Sequence, residues 1–203
     1  MSQSVFIVDD DPAVRDSISL WLSCHGYDTR CFADAKHFLG QVTQTLEGCI
    51  IADIRMPSMD GLELQAHLNK INCQLPLIFI TGHGTVPMAV EAIKNGALDY
   101  LRKPVDEMQL LQKVKEGFVI DSINNQKRQR SLQHQSRLNS LTKRELEVLE
   151  LVVAGTSNKV IASGLSISHR TVEVHRAKVM LKLGAKTLPQ LVKSYLTMLE
   201  SSY

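Results

Sequence analysis

Five short apolar runs, separated by stretches with helical spacing, most strongly constrain the fold of the first 120 residues. The runs are Ser4–Val8, Asp28–Phe32, Cys49–Ala52, Leu77–Ile80 and Asp99–Leu101. The helical stretches are Val14–Cys24, Ala35–Thr45, Leu62–Ile71, Val86–Asn95 and Glu107–Ile123. This alternation predicts an α/β domain of the flavodoxin-like type, a doubly wound parallel sheet of five strands with helices on both faces. The ligand site of such a fold lies at the carboxyl ends of the strands.

The composition changes at the end of this region and predicts a second domain. Residues 1–121 form the α/β domain, residues 122–139 a linker, and residues 140–203 an all-α domain. The linker is polar, basic and rich in Gln, and it contains no Gly or Pro. It is therefore either a continuation of the preceding helix or a flexible coil, because composition alone does not determine its stiffness.

Helical signals continue to the end of the chain. Thr142 and Glu145 fit a capping box at the start of a helix, with Leu146, Leu149 and Val153 at helical spacing behind them. A short helix is predicted over Asn158–Gly164 and a longer one over Arg170–Leu183, which Gly184 ends. A last helix begins at Leu188, with Pro189 in its first turn.

The charges are distributed unevenly between the two regions. Residues 1–120 contain 10 Lys and Arg against 15 Asp and Glu, whereas residues 121–203 contain 13 against 6. An acidic module joined to a basic one favours a polyanionic partner for the second. The four cysteines show no metal-ligand spacing, no apolar run is long enough to span a membrane, and the N-terminus does not resemble a signal peptide. We therefore expect a cytoplasmic protein without a membrane partner.

Polar residues follow the predicted strands in a pattern that indicates phosphoryl chemistry. Asp9 and Asp10 close the first strand, Asp53 the third and Thr81 the fourth, and Lys103 follows the fifth. Three carboxylates at one edge of a parallel sheet repel one another unless a cation is bound. Oxygen ligands without His or Cys favour Mg²⁺, and an added ammonium and hydroxyl are typical of a phosphoryl-transfer site. Asp11, the third acid in the row, is expected to be a loop or helix-cap residue.

At these positions the first domain resembles the receiver domains of two-component systems. The matching elements are Val8-Asp9-Asp10, Asp53 with Met56-Pro57 and Asp60-Gly61, Thr81-Gly82 and Lys103-Pro104. The resemblance implies that Asp53 takes a phosphoryl group from the phosphohistidine of a sensor kinase. It also implies that Asp10, Asp53 and the backbone carbonyl of Arg55 bind Mg²⁺, with Asp9 acting mainly through water. Lys103 and Thr81 then hold the phosphoryl oxygens, and the Lys103–Pro104 peptide is cis.

The same resemblance implies a route for the signal. Phosphorylation adds about −2 charge and three acceptor oxygens at Asp53. Thr81 donates to one of these oxygens, and the ring of Tyr100 turns into the space that is left. The following helix is expected to provide a dimer face with the fifth strand, through Val86, Met88, Val90, Ile93 and Lys94. The alternative, that these residues only pack against the sheet, stays open.

The basic C-terminal region resembles the LuxR/FixJ type of helix-turn-helix domain over about residues 138–200. The residues that match this type are Leu141, Thr142, Arg144, Glu145, Glu147, Val148, Leu149, Gly155, Asn158, Lys159, Ile161, Ala162, Leu165, Ile167, Ser168, Thr171, Val172, His175, Lys182 and Leu183. In the recognition helix Arg170–Leu183, the inner face is expected to carry Val172, Val179 and Leu183.

The other face of this helix is expected to bind the major groove of DNA. Glu173 is suited to cytosine and Val174 to the thymine methyl group. The predicted DNA-binding set is Lys159, Arg170, Thr171, Glu173, Val174, Arg176, Ala177, Lys178 and Lys182. Its basic members are expected to contact phosphates, with at least one of them uninvolved.

The predicted function is that of a response regulator transcription factor, closest to FixJ-type regulators. Phosphorylation is expected to promote a homodimer that binds two-fold related half-sites and, through RNA polymerase, activates rather than represses transcription. Apart from Mg²⁺-dependent self-phosphorylation and slow autodephosphorylation, no enzymatic activity is expected.

Two alternatives remain open at this point. One is a phosphohydrolase with an aspartyl-phosphate intermediate, although such enzymes place the nucleophile at the first strand rather than the third. The other is a DNA-binding regulator whose receiver no longer accepts phosphate, which the complete acidic set disfavours.

Overall fold

The computed structural model describes residues 4–43, 45–82 and 84–200, with side chains up to residue 196. The chain divides into two compact units, residues 1–125 and residues 126–203, which we call unit 1 and unit 2. The boundary lies inside the segment that the composition predicts to be a linker.

Unit 1 is built on a parallel sheet of five strands in the order β2-β1-β3-β4-β5. The strands are β1 Ser4–Val8, β2 Asp28–Phe32, β3 Gly48–Asp53, β4 Leu77–Thr81 and β5 Asp99–Arg102. Strand β1 lies between β2 and β3, because Val8 aligns with Phe32 on one side and with Ala52 on the other. The predicted doubly wound fold is confirmed.

The two faces of the sheet carry separate apolar cores. Phe6, Ile50 and Phe79 face one side, whereas Ile7 and Ile51 face the other, and all five are almost fully buried. Burial on both faces explains why these strands are continuously apolar rather than alternating with polar residues. Because both cores are closed, the edge at the carboxyl ends of the strands remains available for polar side chains.

The helices of unit 1 begin close to their predicted positions. They are α1 Pro12–Cys24, α2 Ala35–Leu39, α3 Gly61–Lys70, α4 Val86–Lys94 and α5 Glu107–Asn139. The prediction for α2 was too long, since it extended to Thr45. The helix ends at Leu39 with Gly40 as its cap, after which the amides of Gln41 and Val42 bond to carbonyls three residues back, as in tight turns.

Helix α5 continues well beyond the predicted position of the last helix of the α/β domain. It runs to Asn139, so the structure has the helical alternative for the segment after Ile123. The part of the helix that belongs to unit 1 is bonded to the rest of that unit: the Asp121 carboxylate accepts from the amide of Gly48 at 3.0 Å, and Asn124 donates to the carbonyl of Gln74 at 3.1 Å.

Unit 2 is helical, with α6 Lys143–Val153, α7 Asn158–Gly164, α8 His169–Leu183 and α9 Leu188–Glu200. The capping box is confirmed, because Thr142 and Glu145 each accept from the backbone amide of the other. The predicted inner face of α8 is also confirmed, since Val172, Val179 and Leu183 are buried. Gly184 ends α8 in the left-handed conformation, at φ 69°.

The apolar residues at helical spacing in α6 are not all buried. Leu149 is buried as expected, but Leu146 is 38% exposed, and the other buried apolar residues of this helix are Val148 and Val152. Leu146, Leu149 and Val153 have helical spacing, but only Leu149 of these three belongs to the buried set of α6.

Candidate functional site

The polar residues predicted at the strand ends of unit 1 lie at one edge of the sheet. Asp9 follows β1, Asp53 is the last residue of β3, Thr81 is the last residue of β4, and Lys103 follows β5. The parallel register brings these ends side by side, with Asp53 opposite Ile80 and Thr81 opposite Arg102. We call Asp9, Asp10, Asp53, Thr81 and Lys103 the acidic pocket.

Lys103 lies between two of the carboxylates. Its Nζ donates to Asp9 Oδ2 at 2.7 Å and to Asp53 Oδ2 at 3.0 Å. Burial alone lowers the pKa of Lys103, but its hydrogen bonds to Asp9 and Asp53 outweigh that effect and raise the pKa. The ammonium therefore remains charged and fixed between the two acids.

Asp9 and Asp53 differ in how far solvent reaches them. The Asp9 side chain is completely buried, whereas 11% of the Asp53 side chain is exposed. Burial raises the pKa of Asp9, and the hydrogen bonds from Lys103 and from the Asp11 amide only partly oppose this increase. Of the two lysine-bonded carboxylates, Asp53 is therefore the one that a substrate can approach.

The three acids also meet the requirements of a divalent cation site. Oxygen atoms of Asp9, Asp10 and Asp53 all lie within 4.8 Å of one another. The set consists of oxygen donors only, and one lysine does not neutralise three carboxylates. These residues fit the preference of Mg²⁺ for carboxylate oxygens together with retained water.

Neighbouring groups fix the position of Asp9. Its Oδ1 accepts from the amide of Asp11 at 2.9 Å, and its backbone carbonyl accepts from Arg15 Nη1 at 2.6 Å. The prediction that Asp11 is a cap residue is confirmed, because its side chain accepts from the amide of Ala13 at the start of α1. The contact of Arg15 was not predicted, although its position in the second turn of α1 places it beside the end of β1.

Tyr100 lies beside the pocket, on β5. Its hydroxyl is buried and has no hydrogen-bond partner among the described residues. Burial raises the pKa of this hydroxyl, the negative charge of Asp53 raises it further, and Arg55 opposes the shift. The Lys103–Pro104 peptide is cis, as predicted.

Helix α4 carries a row of exposed apolar side chains. Val86, Val90 and Ile93 are 78%, 47% and 46% exposed, and their spacing of four and three residues places them on one side of the helix. We call these three residues the α4 face. Met88 differs from them, because it packs against the core that contains Phe79. Lys94 is exposed at the end of the helix.

In unit 2, the side of α8 opposite the core is exposed. It presents Arg170, Glu173, Val174, Ala177 and Lys178, which we call the outer face of α8. Lys159 is also exposed, on α7, whereas Thr171 is half-buried and its amide bonds to the Ser168 hydroxyl that caps α8.

Two basic residues of the predicted DNA-binding set are bonded within unit 2. Arg176 donates to Asn158 Oδ1 at 2.6 Å and so connects α8 to the start of α7. Lys182 donates to Glu145 Oε2 at 2.6 Å and to the carbonyl of Ser140 at 2.8 Å. The hydrogen bond from Lys182, with that from the Thr142 amide, lowers the pKa of Glu145 to about 2. Lys182 therefore has a structural role.

Comparisons with known proteins agree with this geometry. Residues 5–115 match the response regulator receiver domain family, and residues 139–195 match the bacterial regulatory proteins of the luxR family. The chain belongs to the response regulators. It is a transcription factor with a receiver domain and a LuxR-type DNA-binding domain.

Individual relatives cover nearly the whole chain of this response regulator. It is 41% identical over 198 residues to the transcriptional regulatory protein FixJ of Rhizobium meliloti, covering 94% of this chain and 93% of that protein. It is 38% identical to the transcriptional regulatory protein TdiR of Thauera aromatica, covering 94% and 84%. A solved structure of the response regulator StyR is similar at a TM-score of 0.89, with 38% identity over 97% of this chain and 100% of that one.

Arg55, whose backbone carbonyl is a predicted cation ligand, lies two residues after the end of β3, and its amide donates to Asp53 Oδ1 at 3.4 Å. Within the described part of the response regulator, no helix is both long and apolar enough to cross a membrane.

Proposed function

We propose that Asp53 accepts a phosphoryl group from the phosphohistidine of a partner sensor kinase and that this modification controls DNA binding by unit 2. The observation that carries the proposal is the position of Lys103, which bonds both Asp9 and Asp53 while leaving the Asp53 carboxylate partly exposed. An accessible carboxylate beside a fixed ammonium is suited to attack phosphorus and then to hold the product.

The transfer step forms one bond and breaks one. An Asp53 carboxylate oxygen attacks the phosphorus of the phosphohistidine, the phosphorus–nitrogen bond breaks, and the imidazole leaves with the electron pair and takes up a proton. Lys103 and Thr81 hold the phosphoryl oxygens at the carboxyl edge of the sheet. Since negative charge spreads over these oxygens during transfer, donors already in place lower the barrier.

The proposed cation ligands are the carboxylates of Asp10 and Asp53 and the backbone carbonyl of Arg55, with Asp9 acting mainly through water. Mg²⁺ held by these groups would neutralise charge on the acids and on the phosphoryl oxygens. The arrangement of the three acids supports this assignment, because their oxygen atoms lie within 4.8 Å of one another.

The α4 face supports a dimer as the output of the receiver. Val86, Val90 and Ile93 together form an exposed apolar row, as expected of residues that another chain covers. Lys94 lies at the end of the same helix and is proposed to join the contact, whereas Met88 already packs against the core. Phosphorylation strengthens this dimer through Thr81 and Tyr100.

DNA binding is proposed for the outer face of α8. Glu173 and Val174 read base edges in the major groove, while Arg170, Lys178 and Lys159 contact phosphates. Lys182 is left out of the proposed contacts because Glu145 and Ser140 already bind it. Arg176 acts first by holding α7 against α8.

Incubation with acetyl phosphate and Mg²⁺ tests the acceptor assignment, with intact-mass spectrometry as the measurement. One phosphoryl group is expected on the wild type, none on Asp53→Asn, and one on the matched control Asp11→Asn, which keeps the helix cap. An unmodified wild type, or a modified Asp53→Asn, would overturn the assignment. Rapid turnover of a generic phosphate ester would support a phosphohydrolase instead.

A further inference from the structure

The side chain of Tyr100 occupies space that exists only because residue 84 is a glycine. A Cβ built on Gly84 would overlap the Tyr100 hydroxyl, and it would lie 2.7 Å from Tyr100 Cζ and 2.8 Å from Thr81 Cγ2. Both distances are shorter than carbon–carbon contacts in close-packed interiors allow. We call this the enclosed position of Tyr100, with its hydroxyl beside Gly84 and Thr81.

A second glycine in the same loop provides the contrast. A Cβ built on Gly82 meets no atom within 4 Å. Neither glycine is recorded with a left-handed φ, so the two positions are compared by the space around the added Cβ. The steric restriction therefore belongs to Gly84 and not to the loop as a whole.

No hydrogen bond from the described residues holds the ring in its enclosed position. The Tyr100 hydroxyl is buried without a partner there, which opposes the enclosed position, whereas packing of the ring against the core favours it. Opposing contributions of this kind leave an equilibrium that one added methyl group is able to shift.

We propose that Gly84 is a positioning residue of the switch: the absence of a side chain at this position allows Tyr100 to occupy its enclosed position beside Thr81. The consequence for regulation rests on the proposed function, in which Thr81 and Tyr100 connect phosphorylation to the dimer. A side chain at residue 84 keeps the ring out of its enclosed position and separates phosphorylation at Asp53 from dimerisation.

The position of the ring is measured by ¹⁹F NMR on the full chain labelled with 3-fluorotyrosine. The chain has four tyrosines, and the Tyr100 signal is identified by its loss in Tyr100→Phe. We expect the wild type and the control Gly82→Ala to share one Tyr100 signal, and Gly84→Ala to move it toward the position of an exposed tyrosine. An unmoved signal in Gly84→Ala would overturn the proposal.

A double variant separates the two overlaps at Gly84. Thr81→Ser keeps the hydroxyl but removes Cγ2, so Thr81→Ser with Gly84→Ala retains only the overlap with Tyr100. We expect this double variant to show the displaced signal of Gly84→Ala. Return of the wild-type signal would mean that Thr81 alone responds to the added methyl group, and it would overturn the role assigned to Tyr100.

Dimerisation provides the second readout, measured by sedimentation with beryllofluoride as the phosphoryl mimic. Gly84→Ala is expected to weaken the dimer about tenfold or more relative to Gly82→Ala, as overpacking by one methyl group allows. In a Tyr100→Ala background, which removes the whole ring, the same substitution is expected to have a clearly smaller effect. Equal effects in both backgrounds would contradict the proposal.

If the proposed function is wrong, the results differ from those expected if only the role of Gly84 is wrong. A wild type that neither accepts a phosphoryl group nor dimerises with beryllofluoride would overturn the proposed function. The NMR comparison of Gly84→Ala with Gly82→Ala decides the role of Gly84 even then, since it needs no phosphoryl group. Trp21, the one tryptophan of the chain, reports by fluorescence whether each variant of unit 1 is folded.

Discussion

Both units bond a lysine to buried carboxylates, but with opposite balances of charge. In unit 1, Lys103 contacts Asp9 and Asp53, and Asp10 adds a third acid beside them. In unit 2, Lys182 contacts the single acid Glu145. The pKa of Asp9 is raised by burial, whereas a hydrogen bond from Lys182 lowers the pKa of Glu145 to about 2. An excess of buried charge thus marks a site that needs a ligand, and a balanced pair marks a structural contact.

Removing the acid of the balanced pair is expected to have the largest effect. Glu145→Gln weakens the contact with Lys182 and the capping box, so we expect it to destabilise unit 2 by about 2–3 kcal/mol. Hydrogen exchange of the α6 and α8 amides measures the loss. The control is Glu147→Gln on the same helix, whose exposed pair with Arg144 contributes about 0–1 kcal/mol. Equal losses of stability for both variants would mean that the contact of Glu145 with Lys182 contributes no more than an exposed ion pair.

The pH dependence of unit 2 tests the same contact. Because the folded pKa of Glu145 is lowered from 4.5 to about 2, its stabilising effect is complete above 4.5 and is lost as the pH falls toward 2. The difference in unfolding free energy between the wild type and Glu145→Gln should therefore shrink as the pH falls through this range. Chemical denaturation at several pH values, with helical circular dichroism, measures it. A constant difference would contradict the assigned pKa shift.

The acidic pocket should respond in the opposite direction. Asp53→Asn removes one of three neighbouring negative charges, so without divalent cations we expect it to stabilise unit 1 by about 1 kcal/mol. Urea unfolding with EDTA, followed by the fluorescence of Trp21, measures this. Added Mg²⁺ should stabilise the wild type more than the variant. The control Asp11→Asn should behave like the wild type, and destabilisation by Asp53→Asn would remove the distinction between the two lysine sites.

The two sites also differ in how well the sequence predicts them. Each residue of the acidic pocket adjoins a strand end, and parallel strands bring their ends to one edge. The positions of the strands along the chain and the residue types at their ends were therefore sufficient to predict that these residues lie together. Lys182 and Glu145 are 37 residues apart, and their contact depends on how α6 and α8 pack, which helical spacing alone does not specify. For this reason the contact between Lys182 and Glu145 was not predicted.

Packing also explains the other differences between prediction and structure. Leu146 has the right spacing for a core residue, but α6 buries Val148, Leu149 and Val152 instead. The space that the Tyr100 side chain occupies beside Gly84 leaves no pattern in the sequence. Arg15 was missed because an arginine in an amphipathic helix resembles any solvated charge, although it is bonded to the carbonyl of Asp9.

The smallest expected effect concerns the lysines of α8. Lys178 is exposed on the outer face and has no ion pair among the described residues, so it is free to contact a phosphate. Lys178→Ala should weaken binding to every DNA sequence and reduce the slope of log affinity against log salt by about 1. Titration of a labelled DNA duplex of arbitrary sequence at several salt concentrations measures this slope. The control Lys186→Ala, just beyond α8, should leave the slope unchanged. An unchanged slope in Lys178→Ala would place Lys178 outside the DNA contact, and Arg170 and Lys159 would then be the basic residues of that contact.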